Sequence, residues 1–98
     1  MYNEVIWSPE SEADLTNIFN FLLLKWNLRV AFNFLDDVEN KIEKIIKNPI
    51  HYQIIHSELT IRRCVVTKHN SIIYFQKNDV IYILRLFDNR QDPEKLKF

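Results

Sequence analysis

At 98 residues the chain is the size of one domain, residues 1–98, with room for a single core and not for two. Its hydrophobic content of 47% and aromatic content of 13% exclude a disordered chain, and its complete lack of glycine excludes a Gly-rich phosphate loop or a dinucleotide fingerprint. The net charge of zero hides a division: residues 1–58 hold five Lys/Arg against nine Asp/Glu, and residues 59–98 hold eight against four.

An acidic front and a basic back fit either a basic surface facing an anionic partner or two halves that neutralise each other within the fold. Cys64, the single cysteine, has no partner for an internal disulfide and points to a reducing compartment. There is no basic-then-apolar leader and no apolar run near the ~18 residues of a membrane span, so a cytoplasmic protein without a membrane anchor is expected.

Tyr2–Trp7 reads as an opening strand. Ser8 is placed to cap a helix whose first position is Pro9, where a missing N–H costs nothing. Glu10, Glu12 and Asp14 follow at the positive end of its dipole. Leu15, Ile18, Phe19, Leu22 and Trp26 form one stripe at helical spacing, so the helix should run to about Lys25-Trp26. Phe21, Leu23 and Leu24 widen the stripe beyond what a surface helix needs. That end is either sandwiched between the sheet and a second helix or docks a partner.

Asn27 breaks the chain and caps a second helix over roughly Leu28–Lys47, with Ala31, Phe34, Leu35, Val38, Ile42, Ile45 and Ile46 on its apolar face. Asn48-Pro49 stops it. Ile50–Glu58 is the least patterned stretch and reads as a loop over the core. His51 and His56 there lack a third ligand at metal-binding spacing, so neither metal nor cofactor is expected.

Leu59–Pro93 reads as a three-stranded meander whose turns are Lys68-His69-Asn70 and Lys77-Asn78-Asp79. In its first strand Ile61, Arg63 and Val65 share one face and Arg62, Cys64 and Val66 the other. In its third, alternation sets Val80, Tyr82, Leu84 and Leu86 against Ile81, Ile83, Arg85 and Phe87. The apolar third strand should be central and the basic first strand near an edge. The element order βααβββ makes an α+β fold, a helical hairpin on one face of a mainly antiparallel four-stranded sheet. Leu96 and Phe98 can fold back on the core. Guanidiniums within strands need solvent, a carboxylate or a partner. For Arg85 an internal salt bridge, to Asp88 or to an acid of the first helix, stands beside a partner contact.

An opening strand ending in W-S-P, a helix with A-D-L-x-x-I and a Trp at its end, a second helix ending in N-P, then I-R-R and I-L-R-L-F-D-N-R-Q-D-P together resemble the RelE/ParE toxin superfamily, from Trp7 to Pro93. The resemblance implies the toxin of a type II toxin–antitoxin (plasmid-stabilisation) module. It also implies a cognate antitoxin that wraps the toxin and connects it to operator DNA only indirectly. RelE-like members are ribosome-dependent mRNA endonucleases, whereas ParE-like members inhibit DNA gyrase. In-line RNA cleavage needs a group to activate the 2′-hydroxyl, a cation on the phosphate and a proton donor. Where the RelE-like pattern has an arginine this chain has Ser71, and where it has a terminal Tyr or His this chain has Asp88 and Leu96. Arg90 and Arg62 do match basic positions. A ParE-like toxin without its own catalysis is therefore expected, with Arg62, Arg63 and Lys68 as surface contacts and Arg85 and Arg90 meeting an acidic antitoxin segment. The alternatives are a RelE-like nuclease using Arg62 and Arg90 with His69 or Tyr74 as acid, and an inactive remnant that only binds antitoxin.

Overall fold

The computed structural model describes residues 4–96 and residue 98. Its elements are β1 (Glu4–Trp7), α1 (Pro9–Lys25), α2 (Leu28–Lys47), β2 (Gln53–His56), β3 (Ile61–Val65), β4 (Asn70–Lys77), β5 (Val80–Asp88) and a 3₁₀ turn, Pro93–Lys95. Tyr2 and Asn3 of the expected opening strand lie outside the described residues.

The helix ends fall where capping chemistry puts them. Ser8 Oγ accepts the Ser11 N–H at 3.0 Å, and Pro9 occupies the first turn. Asn27 Oδ1 accepts the Val30 N–H at 3.0 Å and starts α2 after a two-residue connection, Trp26-Asn27. Ser8 Oγ also donates to the Leu84 carbonyl at 2.7 Å, so the α1 cap is tied to the sheet.

The five strands lie in the order β1-β5-β4-β3-β2. β1 runs parallel to β5, and the other pairs are antiparallel. The α+β architecture is the expected one, with one strand more. β2 lies in the stretch read as a loop, where irregular residues hide a four-residue edge strand paired to β3 through Gln53↔Arg63 and Ile54↔Arg62. β3 is therefore covered and not at the edge. Without glycine, the chain turns at Asn78 (φ 58°) and Thr60 (φ 51°). Asn tolerates the left-handed region, whereas a β-branched Thr is strained there.

Strict alternation along β5 also needs correction. Ile73 pairs with Arg85 and Tyr74 with Ile83, so Leu84 is an extra residue, a β-bulge. Beyond it the faces exchange. Ile81, Ile83 and Leu86 join Cys64, Ile72 and Tyr74 beneath Phe34, Val38 and Ile45 of α2 in the main core. Leu84 and Phe87 join Ile61, Ile73 and Leu96 in a smaller core on the opposite face, which the tail covers. The tip of the hairpin is not sandwiched. Leu15, Ile18 and Leu22 pack inward, but Phe21, Leu24 and Trp26 are 58%, 87% and 64% exposed.

Candidate functional site: the open end of the sheet

The bulge re-aims Arg85 towards α1. Its guanidinium makes two bonds to Asp14, Nε–Oδ2 at 2.7 Å and Nη2–Oδ1 at 3.0 Å, and Oδ2 also accepts the Leu86 N–H at 3.0 Å. These bonds hold the Arg85 guanidinium more firmly protonated than usual. Of the two internal acids expected for Arg85, the helix-one acid is the one it meets. Asp14 was legible only as part of the acidic first turns, since nothing local marks it as spanning to a strand 71 residues away.

Arg90 also meets an acid, its neighbour Asp88, with Nη2–Oδ2 at 2.7 Å and the Arg90 N–H on Oδ1 at 2.9 Å. These bonds hold the Asp88 carboxyl down at about 2.

Arg63 has no such acid. On the face opposite the helices, its Nε donates to Ser71 Oγ at 3.1 Å and its Nη2 to Asn89 Oδ1 at 2.9 Å. The buried Ser71 hydroxyl donates to the same Asn89 oxygen. Asn89 Nδ2 reaches the Thr67 carbonyl at 3.0 Å, and Asn89 N–H the His69 carbonyl at 2.9 Å. Thr67 Oγ1 in turn accepts the N–H groups of His69 and Asn70. Asn89 thus clamps the β3–β4 turn that carries Lys68 and His69. Sequence reading passed over it, although its place between Asp88 and Arg90 was a signal.

Arg62 points to the helix side, its Nη1 held by the carbonyls of Ile50 (3.1 Å) and Tyr52 (2.8 Å). It anchors the segment leaving α2. Tyr74 is buried in the main core, donates to the Pro49 carbonyl at 2.6 Å, and has its phenol pKa pushed up by burial. Cys64 is a buried free thiol whose pKa burial also raises. His51 and His56 gather no third ligand: among the described residues no group of three or more His, Cys, Asp or Glu side chains is placed to hold a metal. No described helix is long and apolar enough to cross a membrane.

Between α1, the β3–β4 turn and the tail lies an open cleft of ≈ 670 Å³. Ile18, Leu22 and Leu86 form apolar parts of its lining, Lys25, Lys95 and the paired Arg85 and Arg90 supply cationic groups, and His69 lines it from the turn. Lys25 Nζ lies 5.8 Å from the centre of the Phe21 ring, over its face. The site brings together Arg85, Arg90 and His69. It leaves Arg62 and Tyr74 elsewhere.

No curated protein sequence matches the chain. Among solved structures it is similar to a chain of the chromosomal ParDE toxin–antitoxin system from P. aeruginosa (17% identity, TM-score 0.71, 88% of this chain and 95% of that one). It is also similar to a YoeB/ParE toxin from Agrobacterium tumefaciens (10%, 0.64, 88% and 98%). A chain of the YoeB-YefM complex from Staphylococcus aureus matches as well (14%, 0.61, 88% and 95%). At these identities the likeness is one of fold. The family model for the ParE toxin of type II toxin–antitoxin systems, parDE, matches residues 5–93, nearly the whole sequence. The chain belongs to the ParE toxin family.

Proposed function

We propose that this toxin acts by binding and not by cutting: it inhibits DNA gyrase in the cytoplasm and is neutralised by a cognate antitoxin whose acidic, partly apolar segment seats in the cleft beside α1. The observation that carries this reading is that the hydroxyl, amide and carboxylate groups at the open end of the sheet are already engaged with arginines. Ser71 and Asn89 are occupied with Arg63, and Asp88 with Arg90. Transferring a proton from a 2′-hydroxyl and another to a leaving oxygen needs an acid and a base within reach of one phosphate. Tyr74 Oη is turned to the Pro49 carbonyl within the core, away from any such arrangement. His69 stands in the exposed turn.

The cleft suits an antitoxin segment because apolar lining and cationic rim together match acidic and apolar side chains on one strand or helix. Lys25 and Lys95 supply the charges there, while Arg85 and Arg90 are already met by Asp14 and Asp88. Operator DNA is reached through the antitoxin.

Purified toxin is expected to inhibit supercoiling by gyrase and to leave ribosome-bound mRNA intact. Full supercoiling activity at saturating toxin would sink the gyrase reading. Cuts within ribosome-bound codons, abolished by Arg90→Ala, would establish a nuclease instead. Unaffected growth on expression without antitoxin would mark an inactive remnant.

A further inference from the structure

The four arginines of the sheet and tail divide in a way that their spacing does not show. Arg85 and Arg90 each hold a carboxylate of this chain. Arg62 is spent on two carbonyls on the helix side. Arg63 is half-buried, and no Asp or Glu among the described residues lies within ion-pair distance of it. A guanidinium has five N–H donors. Ser71 and Asn89 take the Nε edge of Arg63, and no described residue accepts from Nη1. The free end-on edge, Nη1 with the outer Nη2 hydrogen, presents two parallel donors at carboxylate spacing. Withdrawing a charge partly from water without a counter-ion is costly, and an acid from outside the chain would offset that cost.

We infer that Arg63 is a receptor for a single carboxylate side chain of the antitoxin, held open by Ser71 and Asn89. This rests on the reading of the chain as a toxin neutralised by a bound antitoxin, and adds a second anchor, across the sheet from α2, to the cleft. A carboxylate fits better than a nucleic-acid backbone. Backbone phosphates are held by a row of cations. Here one unpaired guanidinium stands on a strand between Ile61 of the smaller core and the half-exposed Val65, its Arg62 neighbour facing away. The Ser71–Asn89 pair orients the fork, since both accept from its Nε edge and neither brings a charge that would neutralise it.

The register supplies a test that spares this network. Gln53 is exposed and lies directly opposite Arg63 in the β2–β3 pair, where an acid would pair with the guanidinium from within the chain. Affinity for the antitoxin of its own module is measured by calorimetry on the full-length toxin, as wild type, Gln53→Glu, Arg63→Gln and the double variant. Melting temperatures confirm that each is folded. Gln53→Glu is expected to weaken binding about tenfold, and to have no further effect in the Arg63→Gln background. Unchanged affinity in Gln53→Glu overturns the inference, as does an equal loss with and without Arg63. Unchanged antitoxin affinity with lost binding to RNA would make the site a phosphate contact, which also overturns it. Two further measurements test the toxin function independently. Lys25→Gln with Lys95→Gln tests the cleft, and supercoiling tests the target. A Gln53→Glu loss that depends on Arg63 upholds the carboxylate receptor even where gyrase is unaffected.

Discussion

Asp14 shows how much one carboxylate can hold. It closes α1 onto β5 through two guanidinium bonds and a backbone N–H, and its side chain is only 17% exposed. Asp14→Ala leaves the Leu86 N–H unsatisfied and Arg85 unpaired. It is expected to cost about 2 kcal/mol, read as a fall of roughly 10 °C in melting temperature. Asp14→Asn keeps an acceptor and should lose less. Asp88 makes a prediction in pH. Its folded pKa of about 2 lies below the ~3.9 of an unfolded aspartate. The Arg90 pairing therefore contributes fully above about pH 4 and is lost as pH falls towards 2. In a carboxyl NMR titration, Arg90→Ala should return Asp88 to the ordinary aspartate range; an unmoved midpoint would show that Arg90 is not the cause. The arginines were visible in the sequence as candidates, but their partners were not. Ion pairing across 71 residues depends on the bulge at Leu84, which no local pattern announces.

The elements were far more legible. Ser8-Pro9 and Asn27 delimit the helices because caps act within three residues, so sequence neighbours carry the whole interaction. Ser8→Ala removes both the cap and the bond to the Leu84 carbonyl, and should destabilise the fold by about 1–2 kcal/mol in chemical denaturation. β2 escaped because its Gln53–His56 run has no alternation of its own and is held by pairing to β3. The parity of β5 escaped for a related reason: period-two reasoning cannot see an inserted residue. Among the described residues, Thr60 is the place where the missing glycine is felt as strain. Thr60→Gly is expected to raise stability by about 1 kcal/mol, read as a higher melting midpoint, since relief of the left-handed β-branched conformation outweighs the added freedom of the unfolded chain.

At the scale of the whole molecule, the sheet has two dissimilar faces. One is buried under the helices, and the other is partly covered by a short tail through Leu96. Leu24 lies outside both cores. Leu24→Lys should leave the melting temperature within the effect of about 0.5 kcal/mol, because Leu24 is 87% exposed and forfeits little burial. The sequence showed excess apolar width at this end of α1, and only the packed structure decides which side chains are left outside. The parallel pairing of β1 with β5 has a consequence for when the protein becomes itself. The earliest strand finds its neighbour only after Val80–Ile83, and the α1 cap reaches its anchor at Leu84, 76 residues downstream. At ~5–20 residues per second, the ribosome needs on the order of 4–15 s to travel that distance. Throughout that interval the helical hairpin can form, but the sheet that carries the arginines cannot close. The hairpin is thus made well ahead of the strand that anchors it, a built-in order in which the helices wait for the sheet.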